Sequence, residues 1–365
     1  MNKLLIAANF CLLLSISVFS QENNIQTTSF GKGILNIKGK DSTWSMIMSA
    51  RFQILSNSEW DATGNKLTNP TQDFLVRRAR LKFDGFAYTP KLTYKIELGL
   101  SNPDISGTSL YTSNTPRYIL DAVVMWNFHQ NFELWAGQTK LPGNVERVVS
   151  SGNLQFVDRS LLNSEFNIDR DMGLQLRHHF TVGNKFLIRK KIAFSQGEGR
   201  NITTGNLGGH EYTARIELLP FGSFTGDGEY SGSDLKRESS PKFMIASTYD
   251  FNNNAVKTRG TQSSYMVNDT YIPNYLGHYE TDIKTLFIDA VFKYKGFSFM
   301  GEYADRASAD PFAKNSNGTL TGAKVQDGKA YNMQAGYLFK SNYEVAARYT
   351  SIELDKNITG KNPEN

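Results

Sequence analysis

The stretch DFLVRRARLKFDGF, residues Asp73–Phe86, reads as a β-strand but carries four cations within six residues. Side chains alternate between the two faces of a strand. One face therefore carries Arg78, Arg80, Lys82 and Asp84, and the other carries Ala79, Leu81, Phe83 and Gly85. Such a strand suits a solvent-exposed sheet, and it equally suits a wall between lipid and a water-filled pore.

The composition gives no sign of a helical membrane protein. Of the 365 residues, 39% are hydrophobic and 12% are aromatic, and the mean hydropathy is −0.41. Strands that present a side chain to lipid only at every second residue give many aromatic residues at low hydropathy. A soluble β-sandwich would have a similar composition, so composition alone leaves both classes open.

Residues 1–20 have the pattern of a secretory signal peptide. Lys3 precedes an apolar run from Leu4 to Phe19, and the mature chain is expected to begin near Gln21. The only cysteine, Cys11, lies within this segment. Disulfides, cysteine metal sites and cysteine nucleophiles are therefore excluded from the mature chain. The segment predicts export, and hence an outer-membrane location for a barrel.

Thirteen alternating segments follow from Trp44 onward, each with roughly the 9–12 residues of a tilted transmembrane strand. Short connections such as AYTP, HQN and TVGN alternate with long ones such as residues 56–72 and 252–282. This alternation is typical of an all-β, up-and-down antiparallel transmembrane barrel. One junction breaks it, because Phe221–Pro241 is long where a short turn is expected. Part of that junction, residues 227–238, partly matches a calcium-binding loop but lacks flanking helices, which favours a turn.

Four motifs in order resemble the phosphate-selective porin O/P family of Gram-negative outer membranes. They are FLVRRARLKFDG, AGQTKLPGNVERVVSSGNLQFVDRSLLN with the following RDMGLQLRHHF, RIELLPFG, and KYKGFSFMGEYA. The likeness runs from about Gly31 to Asp355. It implies a sixteen-stranded barrel, usually trimeric, with a long third loop folded into the pore. It also implies anion selectivity from arginines and lysines that line the channel.

Alternation along the strands predicts a set of lumen-facing cations. These are Arg51, Arg78, Arg80, Lys82, Lys95 and Arg177. Stacked cations on a pore wall attract anions, and the planar fork of arginine suits phosphate. The alternative is that these cations only pair with Glu97, Asp84 and Asp121 across the barrel. Arg77 breaks the alternation and is expected near a rim.

The third long loop, about residues 141–170, is predicted to narrow the pore. With its flanks it carries charges of both signs: Lys140, Glu146, Arg147, Asp158, Arg159, Asp169 and Arg170. The family resemblance implies a constriction. The alternative is an extracellular lid closed by surface ion pairs, each of which would contribute little.

The predicted function is passive diffusion of small anions, with phosphate or pyrophosphate as leading candidates, through a homotrimer in outer-membrane lipid. No cofactor, metal site, enzymatic activity or nucleic-acid partner is predicted. The alternative function is a non-conducting receptor or adhesin barrel that acts through the loops Asn252–Asp282 and Asp310–Lys329.

The predicted organisation is a signal peptide at 1–20, a short periplasmic arm at 21–43 and the barrel at 44–365. Bacterial single-chain barrels have an even number of strands. A count of thirteen therefore predicts a chain truncated at its C-terminus, lacking about three strands, or on the order of 50 residues. The segment GILNIKG, Gly33–Gly39, is the alternative source of a fourteenth strand.

Overall fold

A computed structural model describes residues 24–26, 33–105, 107–272 and 275–359. The predicted signal peptide lies outside these ranges. The strands, in chain order, are β1 (Asn24–Gln26), β2 (Leu35–Lys38), β3 (Trp44–Thr63), β4 (Lys66–Ala87), β5 (Thr89–Gly99), β6 (Ile119–His129), β7 (Phe132–Lys140), β8 (Arg170–Val182), β9 (Phe186–Ser195), β10 (Glu211–Leu219), β11 (Lys242–Ala255), β12 (Lys257–Arg259), β13 (Gln262–Tyr265), β14 (Val267–Ile272), β15 (Tyr275–His278), β16 (Thr281–Tyr294), β17 (Phe297–Ser308), β18 (Phe312–Lys314), β19 (Leu320–Lys324), β20 (Gly328–Leu338) and β21 (Glu344–Leu354). The helices are α1 (Val145–Val148), α2 (Leu161–Phe166) and α3 (Lys356–Thr359), with single 3-10 turns at Leu110–Thr112 and Gly228–Tyr230. No helix within the described ranges is long and apolar enough to cross a membrane.

The main sheet has 15 strands, each hydrogen-bonded to its neighbours in chain order. The pairs β12–β13, β14–β15 and β18–β19 are separate hairpins in the long loops. From β3 to β21 the sheet contains the thirteen predicted segments, so the up-and-down antiparallel fold is confirmed. Strand β2, from the segment GILNIKG, pairs with β3 from Leu35↔Met48 to Lys38↔Ser45. This part of the predicted arm therefore belongs to the sheet, while the domain boundaries themselves stay a prediction.

The sheet is rolled around the connection between β7 and β8, residues 141–169, which we call the inner loop. Asp158 in this loop accepts a hydrogen bond from Arg78 of β4 on its carboxylate, at 3.0 Å. Its main-chain oxygen accepts one from Arg348 of β21, at 2.9 Å. Because one residue contacts strands near both ends of the sheet, those ends must curve toward each other. The face that meets the inner loop is the inner face.

Alternation places polar side chains inside and apolar side chains outside. In β10, Thr213, Arg215 and Glu217 are buried inside, whereas Tyr212 and Ile216 are exposed outside. The same alternation recurs in β11 and β16. The outer face therefore carries the apolar surface that a lipid-facing wall requires.

Two β-bulges change which face of the sheet a side chain occupies, relative to strict alternation. Gln53 pairs with Arg78 but Ile54 pairs with Val76, which leaves Arg77 as an extra residue in β4. Arg77 therefore turns inward beside Arg78, where it binds Asp158 of the inner loop at 2.7 Å. Likewise Glu97 pairs with Asp121 but Leu98 pairs with Ile119, which leaves Leu120 as an extra residue in β6. Strict alternation with Val124 would place Leu120 on the outer face, yet it is only 3% exposed. An inserted residue shifts the alternation by one, and sequence periodicity alone does not reveal it.

The predicted loop at residues 56–72 is instead a hairpin. β3 and β4 pair as far as Thr63↔Lys66, and Gly64, with a φ of +62°, forms the turn between them. Polar side chains on both faces of this extension hide its strand character, because no apolar face alternates with a polar one.

The connections divide the molecule into two ends. At the short-turn end lie the predicted tight turns, such as Gln130–Asn131 and Gly183–Lys185. At the long-loop end lie the inner loop and the three small hairpins. The irregular junction Phe221–Pro241 leaves the short-turn end, and Gly232 within it donates a backbone hydrogen bond to Asn153 of the inner loop, at 2.7 Å.

Gly137 of β7 and Gly173 of β8 pair directly across the two strands that flank the inner loop. Gly137 has a φ of +128°, and a Cβ there would lie 2.2 Å from the carbonyl oxygen of Ala122. Neighbouring backbone thus approaches a position that only glycine can occupy without strain.

Gly137→Ala is expected to destabilise the barrel by about 1–3 kcal/mol, because both the backbone conformation and the contact with Ala122 become strained. Chemical unfolding of protein refolded in lipid vesicles, followed by tryptophan fluorescence, measures this. Gly107→Ala is the control, since no atom lies within 4 Å of its Cβ position. Equal unfolding midpoints for the two variants would contradict the prediction.

Candidate functional site

The inner loop is a folded insertion rather than an open lid. The Ser160 hydroxyl caps α2 by accepting from the Asn163 amide at 3.2 Å. The Glu146 carboxylate, 1% exposed, accepts hydrogen bonds from both the amide (2.9 Å) and the hydroxyl (2.5 Å) of Ser160. These bonds tie α1 to α2, because Glu146 lies in α1 and Ser160 precedes α2. The loop therefore has its own fixed shape.

Apolar contacts seat the loop against one side of the rolled sheet. Leu162 and Phe166 pack in a buried cluster with Phe287 of β16 and Ala304 of β17. A second cluster joins Val145 and Val149 to wall residues, namely Leu187, Leu219, Met244, Val291 and Met300. The loop thus fills the lumen next to β10, β11, β16 and β17. The open space remains on the other side, along β4–β8.

That space contains a cavity of about 360 Å³ near the long-loop end, which we call the upper cavity. Its lining has nine cationic and two acidic side chains. The cations are Arg77, Arg78, Arg80, Arg117, Arg147, Arg159, Arg170, Arg200 and Lys257, and the acids are Asp104 and Asp169. Such an excess of one sign in a cleft with low-dielectric walls concentrates counter-ions.

A second cavity of about 360 Å³ lies nearer the short-turn end, and we call it the lower cavity. Its charged lining has six cations and three acids. These are Arg80, Lys95, Lys140, Arg170, Arg177 and Lys191, with Glu97, Asp121 and Asp227. Arg80 and Arg170 line both cavities, so they mark a waist between them.

The waist is a network of paired charges. Arg80 donates to Asp104 at 2.6 Å and to Glu97 at 3.1 Å. Arg170 donates to Asp121 at 2.9 Å, and Lys95 lies 2.6 Å from Asp121 and 3.0 Å from Glu97. The alternative pairing with Glu97 and Asp121 thus occurs for Arg80 and Lys95. Mutual hydrogen bonding fixes these side chains at the waist.

The other predicted pore-lining cations have different surroundings. Arg51 donates to the Ser151 hydroxyl of the inner loop at 2.7 Å. Arg78, 4% exposed, donates to Gln53 and Asp158. Lys82 pairs with Asp84 at 2.8 Å, as in the alternative. Arg177 stacks on the Trp135 ring at 3.4 Å in the lower cavity.

Several predicted constriction-loop residues hold the loop together. The Lys140 ammonium donates to three carbonyl oxygens at the end of α1, those of Arg147, Val148 and Val149, at 2.8–3.1 Å. Arg147 pairs with Asp169, with Nε 2.6 Å from Oδ1. Glu146 also accepts from Arg348 at 3.1 Å. In contrast, Arg159 bonds only to carbonyl oxygens, those of Glu146 and Val149.

Three cations of the upper cavity were not predicted from the sequence, namely Arg117, Arg200 and Lys257. All three lie in connections between the long strands, where no periodicity indicates which way a side chain points. In the part of the chain that the structure describes, Arg117, Arg159 and Lys257 have no carboxylate partner within ion-pair distance. Each therefore contributes a positive charge that no carboxylate contacts directly.

Burial destabilises the charged forms of Arg159 and Lys257 and so lowers their pKa values. Burial, followed by the neighbouring Arg147, lowers the pKa of Arg159 to about 9. Burial and then Arg117 lower the pKa of Lys257 to about 8. A bound anion would stabilise the charged form of both groups. The upper cavity is thus arranged to gain free energy from an anion.

Comparison with solved structures finds outer-membrane proteins at low identity. Pseudomonas aeruginosa OpdQ matches at 13% identity and a TM-score of 0.41, covering 88% of this chain and 76% of that chain. Acinetobacter baumannii OccAB1 matches at 11% identity and a TM-score of 0.37, covering 85% and 80%. The trimer form of Vibrio cholerae OmpT matches at 13% identity and 0.35, covering 85% and 89%.

No curated protein matches the sequence. A family model for phosphate-selective porin O and P, however, matches residues 52–364, which include the inner loop and every strand from β4 to β21. The chain belongs to the phosphate-selective porin O and P family.

Proposed function

We propose that this outer-membrane porin is a passive channel for small anions, with phosphate or pyrophosphate as the leading candidates. The observation that carries the proposal is the lining of the upper cavity, with nine cations against two acids. Family membership supports a channel rather than an enzyme. Assembly as a homotrimer in outer-membrane lipid, after export by the N-terminal signal, belongs to the same proposal.

Diffusion through such a lumen would proceed in stages. An anion enters the upper cavity, where Arg117, Arg159 and Lys257 supply charge without a directly bound carboxylate among the described residues. Arginine forks can replace part of its hydration shell with paired hydrogen bonds. At the waist, the Arg80 and Arg170 charges are already offset by acids, so the anion is held less tightly and can pass. Conduction needs binding that is favourable at entry and weak enough to permit release.

The direct test is the reversal potential of the reconstituted channel in a potassium chloride gradient. The wild-type chain should be anion-selective. Arg117→Gln removes an unpaired cation and should lower the anion-to-cation permeability ratio by about two-fold. Lys66→Gln, in the exposed hairpin turn between β3 and β4, should leave the ratio unchanged. A cation-selective wild type would refute the proposal.

The depressed pKa of Lys257 predicts a dependence on pH. Its ammonium is charged below about pH 8 and neutral above it, so anion selectivity should fall between pH 7 and pH 9. Burial raises the pKa of the neighbouring Glu198 to about 7, and its ionisation acts in the same direction. Lys257→Met isolates the lysine, because this variant should be less selective at pH 7 and change less at higher pH. An identical pH profile in wild type and variant would contradict the role of Lys257.

The rival function is a receptor or adhesin barrel without conductance. One observation favours it: the long loops pack on one another, since Asp269 accepts hydrogen bonds from the amide (2.6 Å) and hydroxyl (3.0 Å) of Ser316. A folded surface of this kind could bind a partner. Absence of any ion current from correctly folded protein in planar bilayers would favour this function over the channel.

A further inference from the structure

The junction Phe221–Pro241, which we call the inner turn, folds into the interior from the short-turn end. Its centre wraps around a buried ammonium, because Lys293 donates to the carbonyl oxygens of Gly228, Ser231 and Ser233 at 2.6, 2.9 and 2.7 Å. The segment that resembles a calcium loop is thus organised by a lysine. A buried charge with three acceptors fixes the shape of the turn.

Further bonds attach the inner turn to the wall and to the inner loop. Gly232 donates to Asn153 of the inner loop at 2.7 Å. Tyr230 donates to Glu217 of β10 at 2.8 Å, and the Ser233 hydroxyl donates to Glu344 of β21 at 2.6 Å. Two insertions, one from each end, therefore meet inside the rolled sheet. The inner turn forms part of the lower cavity through Asp227 and Tyr230.

Asp227 lines the lower cavity on its side toward the short turns. It also lines the adjoining cavity of about 370 Å³, which extends to Asn131 in a short turn. Arg177 and Lys191 line both of these spaces as well. The residue takes a left-handed conformation, with a φ of +53°, at the start of the 3-10 turn. Asp227 is therefore held at the boundary between the lower cavity and the short-turn end.

The Asp227 carboxylate differs from the other acids of the lower cavity. Glu97 and Asp121 are buried and paired with cations at the waist. Asp227 is exposed to the cavity, and within the described ranges its side chain has no hydrogen-bond or ion-pair partner. A negative charge among the cations of this passage is thus left uncompensated.

We propose that the inner turn is a second constriction element and that Asp227 promotes anion release toward the short-turn end. This inference rests on the proposed anion channel. An uncompensated carboxylate repels an anion and opposes the attraction of Arg177 and Lys191. The anion is therefore held less tightly in the lower cavity than in the upper one. The inner loop then helps to bind the anion near the long-loop end, and the inner turn promotes its release near the short-turn end.

Asp227→Asn tests the charge with almost no change in shape. Chloride current is recorded through single channels while inorganic phosphate is added at the short-turn side. Removal of one negative charge should lower the half-blocking phosphate concentration about 3-fold, and Asp227→Lys should lower it further. Asp73→Asn, which removes a likewise exposed carboxylate from the β3–β4 hairpin, should match wild type.

Anion selectivity over potassium gives a second measurement that does not depend on phosphate binding. Asp227→Asn should raise this selectivity, whereas Asp73→Asn should not. If the wild type is anion-selective but Asp227→Asn changes neither the block nor the selectivity, the inference about Asp227 fails and the channel proposal stands. If the wild type is cation-selective or does not conduct, both fail.

Discussion

The central physical constraint is that a rolled sheet with a polar inner face must satisfy the charges it encloses. Arg78 near one end of the sheet and Arg348 near the other both bind Asp158 of the inner loop. Loss of the Asp158 carboxylate would leave the buried Arg78 guanidinium without its acidic partner, at a cost of several kcal/mol. The inner loop is consequently the structure around which the wall curves. Its apolar side, centred on Phe166, decides which half of the lumen is filled.

The distribution of charge follows from this arrangement. At the waist, Arg80, Lys95 and Arg170 are matched by carboxylates within 3.1 Å, so this network is close to neutral. Toward the long-loop end fewer acids line the lumen. Among the described residues, Arg117, Arg159 and Lys257 have no carboxylate within ion-pair distance. Under the proposed function, this arrangement would concentrate anions at the long-loop end without trapping them at the waist. Toward the short-turn end the arrangement is reversed, because the Asp227 carboxylate has no cationic partner among the described residues.

The amino-acid pattern was sufficient to predict the strands of the sheet and many of the residues that line its inner face. It was insufficient wherever the alternation of side chains is interrupted. Period-two alternation locates all thirteen strands from β3 to β21 and places Arg78, Arg80 and Arg177 inside. It misplaces Leu120, because a bulge inserts one residue without any compositional mark. It also misses Arg117, Arg200 and Lys257, whose loop backbones have no period. The length of Phe221–Pro241 was recognisable as irregular, yet the binding of Lys293 by three carbonyl groups depends on backbone geometry that side-chain identity does not encode.

The central claim is that unpaired cations make the upper cavity an anion site. Anomalous diffraction from crystals of the full chain soaked in bromide examines this directly. The account predicts bromide within the upper cavity, in contact with Arg117 or Arg159, at higher occupancy than in the lower cavity beside Asp227. Crystals with no bromide in either cavity, or with rubidium from a parallel soak bound in the upper cavity instead, would contradict it.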